Sequence, residues 1–464
     1  MEEKTPPSRY PILQSDLGNS LSRSDLNTRA DERDVTAMND SSPPVDVKQR
    51  SVPVYWIIGF FVFVNTMICY FDRVNFSVAA PAIMKHFNWD IGIMGLAMSM
   101  FGVGYILTQI PAGLLGDRFG GRKVLAAGSV GWSFFTLLTP FAGTPLLMYL
   151  IRGLLGLAEG VNFPGATSVL SRWVPRKARA RIQGMNLSGI AAGPLIATPL
   201  TVWIMTELGW KPVFYFYGVL GILWAGAWLL YSTENPSEHK GISNEDLREI
   251  EASQTAEAGV SVGDSPTRSK AVWGLATAYF CFTYTWWLFL NWLPTYLVQA
   301  RGYSIVKMGF FASLPWLAAL ISTNGAGWLS DALVKRGFST GKARRTLIYF
   351  GAPAMAASLW LATQAENAEA AVGLITVTIL LAGLNFPAFW SLPMDMNVRK
   401  AGFITGMMNT GSALASIVAP GVTGYVAMWF GWTAALGLGS VLALLSAIIM
   451  YFTAPKPTSK QYRV

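Results

Sequence analysis

Histidine and cysteine are nearly missing, with two of each in 464 residues. His86 and His239 fall in loops, and Cys69 and Cys281 fall inside apolar runs, so they offer no metal-ligand spacing and no disulfide framework. Charge is scarce as well. Asp, Glu, Lys and Arg make up 13% of the chain against 52% hydrophobic residues, a balance that excludes an ordinary soluble domain. The apolar segments bring no nucleophile, base and orienting group together, which argues against an enzyme, and no metal or organic cofactor is expected. The surplus of +9 is scattered over short polar segments. It builds no basic face for a nucleic acid.

What the chain has in abundance is apolar length. Windows of about 20 apolar residues, enough to cross roughly 30 Å of hydrocarbon, recur near 53–82, 91–115, 122–142, 145–170, 182–205, 212–231, 271–298, 306–329, 345–364, 371–394, 403–428 and 432–453. Twelve membrane-spanning helices are therefore expected, in an all-α membrane protein. Of the 35 Lys and Arg, 29 fall on one side of that map, in the segments before span 1, between alternate spans and after span 12. Lys85, Lys211, Arg301 and Lys307 fall on the other side, and Arg73 and Arg152 lie within spans. By the positive-inside rule both termini are cytoplasmic.

Residues 1–50 mix both signs of charge with Ser and Pro and lack an apolar run. A disordered cytoplasmic tail is expected there, without a cleavable signal. Residues 232–270 carry eight acidic groups and read as a solvated cytoplasmic linker. The segments on either side resemble each other: Asn162-Phe163-Pro164 recurs as Asn385-Phe386-Pro387, Gly184-Met185-Asn186 is echoed in Gly406 to Asn409, and Gly209-Trp210 recurs as Gly431-Trp432. Such repeats imply two pseudo-symmetric six-helix bundles, 51–231 and 271–453, followed by a tail from 454 to 464. In transporters built from related halves, the substrate site lies between the halves near the midplane.

The charges inside the spans are the natural candidates for that site. An ionised side chain at mid-membrane costs roughly 2.5 to 3.5 kcal/mol on insertion scales, so such groups face a cavity or a partner. Asp72 and Arg73 are adjacent and about 100° apart around their helix, so they point at different groups. Arg152 and Glu159 share a face of span 4 but sit about 10 Å apart along it, too far to pair. The expected arrangement joins Asp72 to Arg152, which leaves Arg73 for the carboxylate of a ligand and Glu159 for a proton. Arg suits the first task because it stays charged and presents a planar fork; a desolvated carboxyl suits the second. A purely structural ion pair is the alternative for each. Asp395 and Arg399, at the end of span 10, read as a capping or loop pair.

Between spans 2 and 3 the run Gly113, Asp117, Arg118, Gly120, Gly121, Arg122, Lys123 resembles the signature of the major facilitator superfamily, with a partial echo at Gly327 and Asp331. The resemblance implies a cytoplasmic gate formed by Asp117, Arg118, Arg122, Lys123 and Asp331. More narrowly, Tyr70 to Pro81, Tyr105 with Gln109 to Gly113, Arg152 to Gly160 and Asn291 to Tyr296 resemble the anion:cation symporter family over residues 52–453. That family includes bacterial hexonate and hexuronate transporters, sialin and vesicular glutamate transporters. It implies substrate binding at Arg73 and proton coupling through Asp72, Arg152 and Glu159.

Tyr105, Gln109, Tyr284, Asn291, Asn409 and Ser412 are candidates to read a hydroxylated substrate, with hydrogen bonding between helices as the alternative for the amides. The tryptophans 286, 287, 292, 316 and 390 read as packing or interfacial belt, or as a wall for a carbon chain. Span 7 carries no charge between Ala271 and Ala300, where vesicular glutamate transporters place a further arginine, so one free cation favours a monocarboxylate. The expectation is a monomeric inner-membrane importer of a sugar acid, driven by proton symport. Exchange or export of a dicarboxylate or phosphate, and a non-transporting receptor, stay open.

Overall fold

The computed structural model describes residues 52–257, 269–338, 340–396 and 401–453. The tails 1–50 and 454–464, Arg399, and the side chains of Gln109, Asp117, Asp331 and Asp395 lie outside what is described. Among the described residues thirteen α-helices follow one another: α1 (Val54–Phe87), α2 (Ile91–Phe119), α3 (Gly121–Leu138), α4 (Pro145–Glu159), α5 (Asn162–Trp173), α6 (Arg176–Leu208) and α7 (Lys211–Tyr231) in the first half. Then come α8 (Asn244–Glu257), α9 (Lys270–Gln299), α10 (Ile305–Lys335), α11 (Thr340–Gln364), α12 (Ala368–Met396) and α13 (Ala401–Thr453).

These give the twelve expected spans with two differences in where helices break. Span 4 is divided into α4 and α5 by a kink at Gly160 and Val161. Spans 11 and 12 run together as α13, interrupted only where Gly431 takes φ 81°. Gly209, its counterpart in the sequence repeat, takes φ 85° at the end of α6. A side chain would strain either position, which is why Gly-Trp recurs there. Large apolar side chains such as Leu230, Phe430 and Phe452 remain exposed around the bundle, as a surface that meets lipid requires.

Small residues set how closely the helices approach, because lipid tails supply no hydrophobic drive to pack one helix on another. In the first half α1 packs on α6, α2 on α4 and α3 on α7; in the second, α9 packs on α13 and α12 on both α10 and α11. Gly189 of α6 rests on the Phe63 carbonyl of α1, and its repeat partner Gly411 of α13 rests on the Ala276 carbonyl of α9. Gly104, Gly153, Gly156 and Gly160 let α2 and α4 touch backbone to backbone. Thr108 adds a bond from its hydroxyl to the Leu157 carbonyl, 2.7 Å.

The halves meet through α2 on α13, α6 on α10 and α1 on α9. Near the Asp90 end this seam is shut. Gly95 lies on the Pro420 carbonyl and Gly102 on Ser416, Gly424 faces the Ile91 carbonyl, and Gly309 packs on Val202. Ser99 Oγ accepts from the Gly421 amide (2.9 Å), and Ser77 Oγ donates to the Asn291 carbonyl (2.6 Å). Toward the opposite end Gly184, Gly325 and Gly406 border open space.

The linker is not simply solvated. Glu234 pairs with Arg172 at 2.7 Å and lies over Gly120, Glu249 pairs with Lys177 at 2.7 Å, and Ile250 of α8 is buried. His239 packs edge-on against Trp173. Two acidic residues of this segment, Glu234 and Glu249, thus find basic partners at the ends of α5 and α6, which the run of charge alone does not disclose.

Replacing Gly156 with valine drives a branched side chain into the Phe101 carbonyl. The loss is expected to be about 1–3 kcal/mol, measured as a lowered thermal midpoint in detergent. Gly226→Ala, at a position with open space, should leave the midpoint nearly unchanged.

Candidate functional site

Four ionisable side chains gather in the first half, all essentially buried: Asp72 and Arg73 on α1, Arg152 and Glu159 on α4. Their pairing differs from the expected one. Arg73 Nε donates to Glu159 Oε1 at 2.5 Å, while among the described residues Asp72 and Arg152 form no ion pair. Asp72 Oδ1 instead accepts from Asn75 Nδ2, 3.1 Å away and one turn along α1. Arg152 lies over the rings of Phe76 and Phe101, 4.2 and 5.2 Å from their centroids.

Local geometry explains the exchange. Cys69 and Arg73 are four residues apart and share a face of α1, so thiol and guanidinium converge on one carboxylate oxygen. Cys69 Sγ donates to Glu159 Oε1 at 2.7 Å and lies 3.6 Å from Arg73 Nη2. Glu159 is the last residue of α4, and the kink that follows turns it toward α1. That kink is held by Asn162, whose Oδ1 accepts from Asn65 (2.8 Å) and whose amide donates to Thr66 (3.4 Å); Thr66 in turn donates to Asn186 on α6 (2.7 Å).

Arg73 also sits in a box of rings. The centroids of Tyr70, Phe101, Tyr105 and Trp287 lie 4.4, 5.0, 5.0 and 5.4 Å from its guanidinium carbon. Cation–π attraction offsets part of the lost hydration. The Phe101 ring is near both guanidinium groups, its centroid 5.0 Å from the Arg73 carbon and 5.2 Å from that of Arg152.

On its other side Arg73 borders a cavity between the halves. Tyr70 and Tyr105 line it from the first half, and Asn409, Ser412, Trp286 and Trp287 from the second. Trp390 and Tyr279 complete the far wall, tied by an indole-to-hydroxyl bond of 3.0 Å. Of the residues read from sequence, Arg73, Tyr105, Asn409 and Ser412 come together here. Tyr284 does not: its hydroxyl is 2.9 Å from Thr423 Oγ1 and locks α9 to α13. Asn291 Nδ2 donates to the Trp287 carbonyl one turn back (2.8 Å), and the residue lies outside the cavity wall.

Trp286, Trp287 and Trp390 form the tryptophan wall, whereas Trp316 packs behind Trp286 and Trp292 against Trp432. Phe163 and Phe386 were missed although the sequence pointed at them. They are the central residues of the repeated Asn-Phe-Pro, and both line the cavity.

The gate residues that are described stay within their own half. Arg122 donates to the Leu229 carbonyl (2.5 Å) and to Ser232 Oγ (3.2 Å) at the end of α7. Arg118 lies over the ring of Phe119 and, like Lys123, is exposed. Among the described residues no three of His, Cys, Asp and Glu gather to hold a metal ion.

Comparison with known proteins fits this architecture. The family model described as Major Facilitator Superfamily matches residues 62–420. The chain is 32% identical over 409 residues to the D-galactonate transporter of Escherichia coli, covering 83% of this chain and 92% of that protein. It is 30% identical over 407 residues to the chloroplastic ascorbate transporter of Arabidopsis thaliana, covering 86% and 75%. Among solved structures, a bacterial homologue of the human lysosomal transporter Spinster, inward-facing and occupied, aligns with a TM-score of 0.70 at 15% identity over 86% of this chain and 96% of its own, a likeness of fold. Twelve spans in two related halves, a cavity between them and a family match over most of the chain agree: this protein belongs to the major facilitator superfamily, as a membrane transporter among its anion-carrying members.

Proposed function

We propose that the chain imports an organic monoanion, a sugar acid of the hexonate or hexuronate kind, by proton symport with alternating access. One observation carries the reading: the cation that borders the cavity, Arg73, is held from behind by a carboxyl with a second, unpartnered oxygen, Glu159 Oε2. A substrate carboxylate entering the cavity competes with Glu159 for the guanidinium fork. Glu159, once released, would be a lone buried carboxylate, and removing one partner of such a pair costs about 3–5 kcal/mol. Taking up a proton removes that cost. Anion and proton thereby enter as a neutral set, the physical content of coupling.

The remaining wall suits the carbon chain. Trp286 and Trp287 offer flat faces, and Tyr105, Asn409 and Ser412 offer hydrogen bonds to hydroxyls. The relative that transports D-galactonate supports this substrate class. With both termini cytoplasmic, the open end of the seam faces the cytoplasm and the sealed Asp90 end faces outward, in an inner membrane. The protein works as a monomer, with Asp72 as a second proton site.

A stability screen of the purified protein against sugar acids, dicarboxylates and phosphate should give its largest upward shift with a sugar acid. In proteoliposomes an inward proton gradient should drive accumulation of D-galactonate, and no stimulation would sink the symport reading. Glu159→Gln is expected to keep counterflow exchange and lose gradient-driven accumulation; loss of both would count against its coupling role. Arg73→Lys should weaken substrate binding by at least about tenfold, because an ammonium lacks the planar fork. Titration calorimetry would read that change.

A further inference from the structure

The other pair of charges, Asp72 and Arg152, leaves an unexplained set of polar atoms. Asp72 Oδ2, Asn75 Oδ1, Trp132 Nε1, Ser133 Oγ, Thr136 Oγ1 and Arg152 Nε are all buried and lie beyond ordinary hydrogen-bond geometry from any protein partner, although the Thr136 hydroxyl is close enough to influence the Asp72 carboxyl. Their residues are at most 2% exposed. They come from α1, α3 and α4 and belong together. Asn75 bonds to Asp72, Thr136 and Arg152 act on the same carboxyl, and Ser133 lies one turn before Thr136 on α3. Ser133 Oγ and Trp132 Nε1 both border Gly221 of α7, where the missing side chain leaves them room.

A dry cluster of this kind is not tenable. Each buried polar atom without a partner costs about 1–3 kcal/mol, and six of them would consume most of the stability of a typical fold, about 5–15 kcal/mol. A buried water makes about three hydrogen bonds. At that rate about two waters would suffice for six such atoms.

We infer that Asp72, Asn75, Ser133, Thr136, Trp132 and Arg152 enclose a hydrated proton-loading chamber behind the substrate cavity, in which α3 hydroxyls and water relay a proton to Asp72 Oδ2. None of these residues lines the substrate cavity, and Phe101 lies near both Arg73, which does, and Arg152, which does not. The proton comes from bulk water, passes along the bridging waters and ends on the carboxylate. Asp72 Oδ2 then changes from acceptor to donor, and the water-bridged attraction to Arg152 is lost. Ser133 and Thr136 are positioning residues and touch no substrate. The groups that face Asp72 are Arg152 and Glu159 from α4 and Tyr217 from α7, with Cys69 on its own helix and Arg73 next to it in sequence. At this depth α3, α5, α6 and α9 present no charge.

This inference rests on proton symport, and the test separates the two. Gradient-driven uptake and counterflow of D-galactonate are measured across external pH for the unaltered protein, Thr136→Val, Thr136→Ser and Ser133→Ala. In Thr136→Val, which keeps the shape and loses the hydroxyl, the ratio of gradient-driven uptake to counterflow should fall about tenfold, the size of one lost hydrogen bond to a charged group, with a displaced pH profile. Thr136→Ser should restore both, and Ser133→Ala should follow Thr136→Val more weakly. An unaltered protein that ignores the proton gradient overturns symport and the relay together. A responsive protein whose Thr136→Val profile is unchanged overturns the relay alone. Uptake that follows a sodium gradient at fixed pH overturns it as well, and gives the same oxygens to a cation. A high-resolution map of the unaltered protein should show water among the six atoms, and a dry space there overturns the chamber even where a variant does not fold.

Discussion

The pairing of Arg73 with Glu159 is the constraint on which the site depends. Two opposite charges cannot remain at mid-membrane without each other, so the positions that bring them together have little freedom. Arg73 must project from α1 toward α4, Glu159 must close α4 where the chain kinks, and the glycines of α2 and α4 must let the helices approach. The network of Asn65, Asn162, Thr66 and Asn186 holds the kink in place without adding charge. Geometry that would be optional in water becomes obligatory in lipid.

Around this pair the charges fall into two groups. Arg73 and Glu159 pair beside the aromatic cavity, while Asp72 and Arg152, with Thr136 of α3, influence one another without an ion pair. Adjacent residues on one helix thus serve different surroundings, because a step of one residue turns the side chain by about 100°. The Phe101 ring, about 5 Å from each guanidinium carbon, offers both cations a π system in place of lost water.

Much of the fold was legible in the sequence, since spans, repeats and their lengths follow from hydrocarbon thickness and from internal similarity. The repeated Gly-Trp is a good example: the left-handed backbone at Gly209 and Gly431 is what the repeat encodes. The four buried charges were legible too, because they stand out against apolar runs. Their pairing was not. It turns on the break after Glu159 and on Cys69 one helical turn from Arg73, and neither the break nor the thiol reads as unusual in a linear pattern. Tyr284 and Asn291 look like substrate contacts until the neighbouring Thr423 and the Trp287 carbonyl are placed beside them. The docking of Glu234 and Glu249 on basic residues was hidden because long-range pairing leaves no periodic trace.

The seam at the Asp90 end is made largely of glycine backbone against backbone, with hydrogen bonds such as Ser99 to Gly421 and Ser77 to Asn291. Bonds of this kind contribute about 1 kcal/mol each, because water replaces them on exposure. Parting the halves there tears no ion pair among the described residues, because the buried pair of Arg73 and Glu159 lies wholly within the first half.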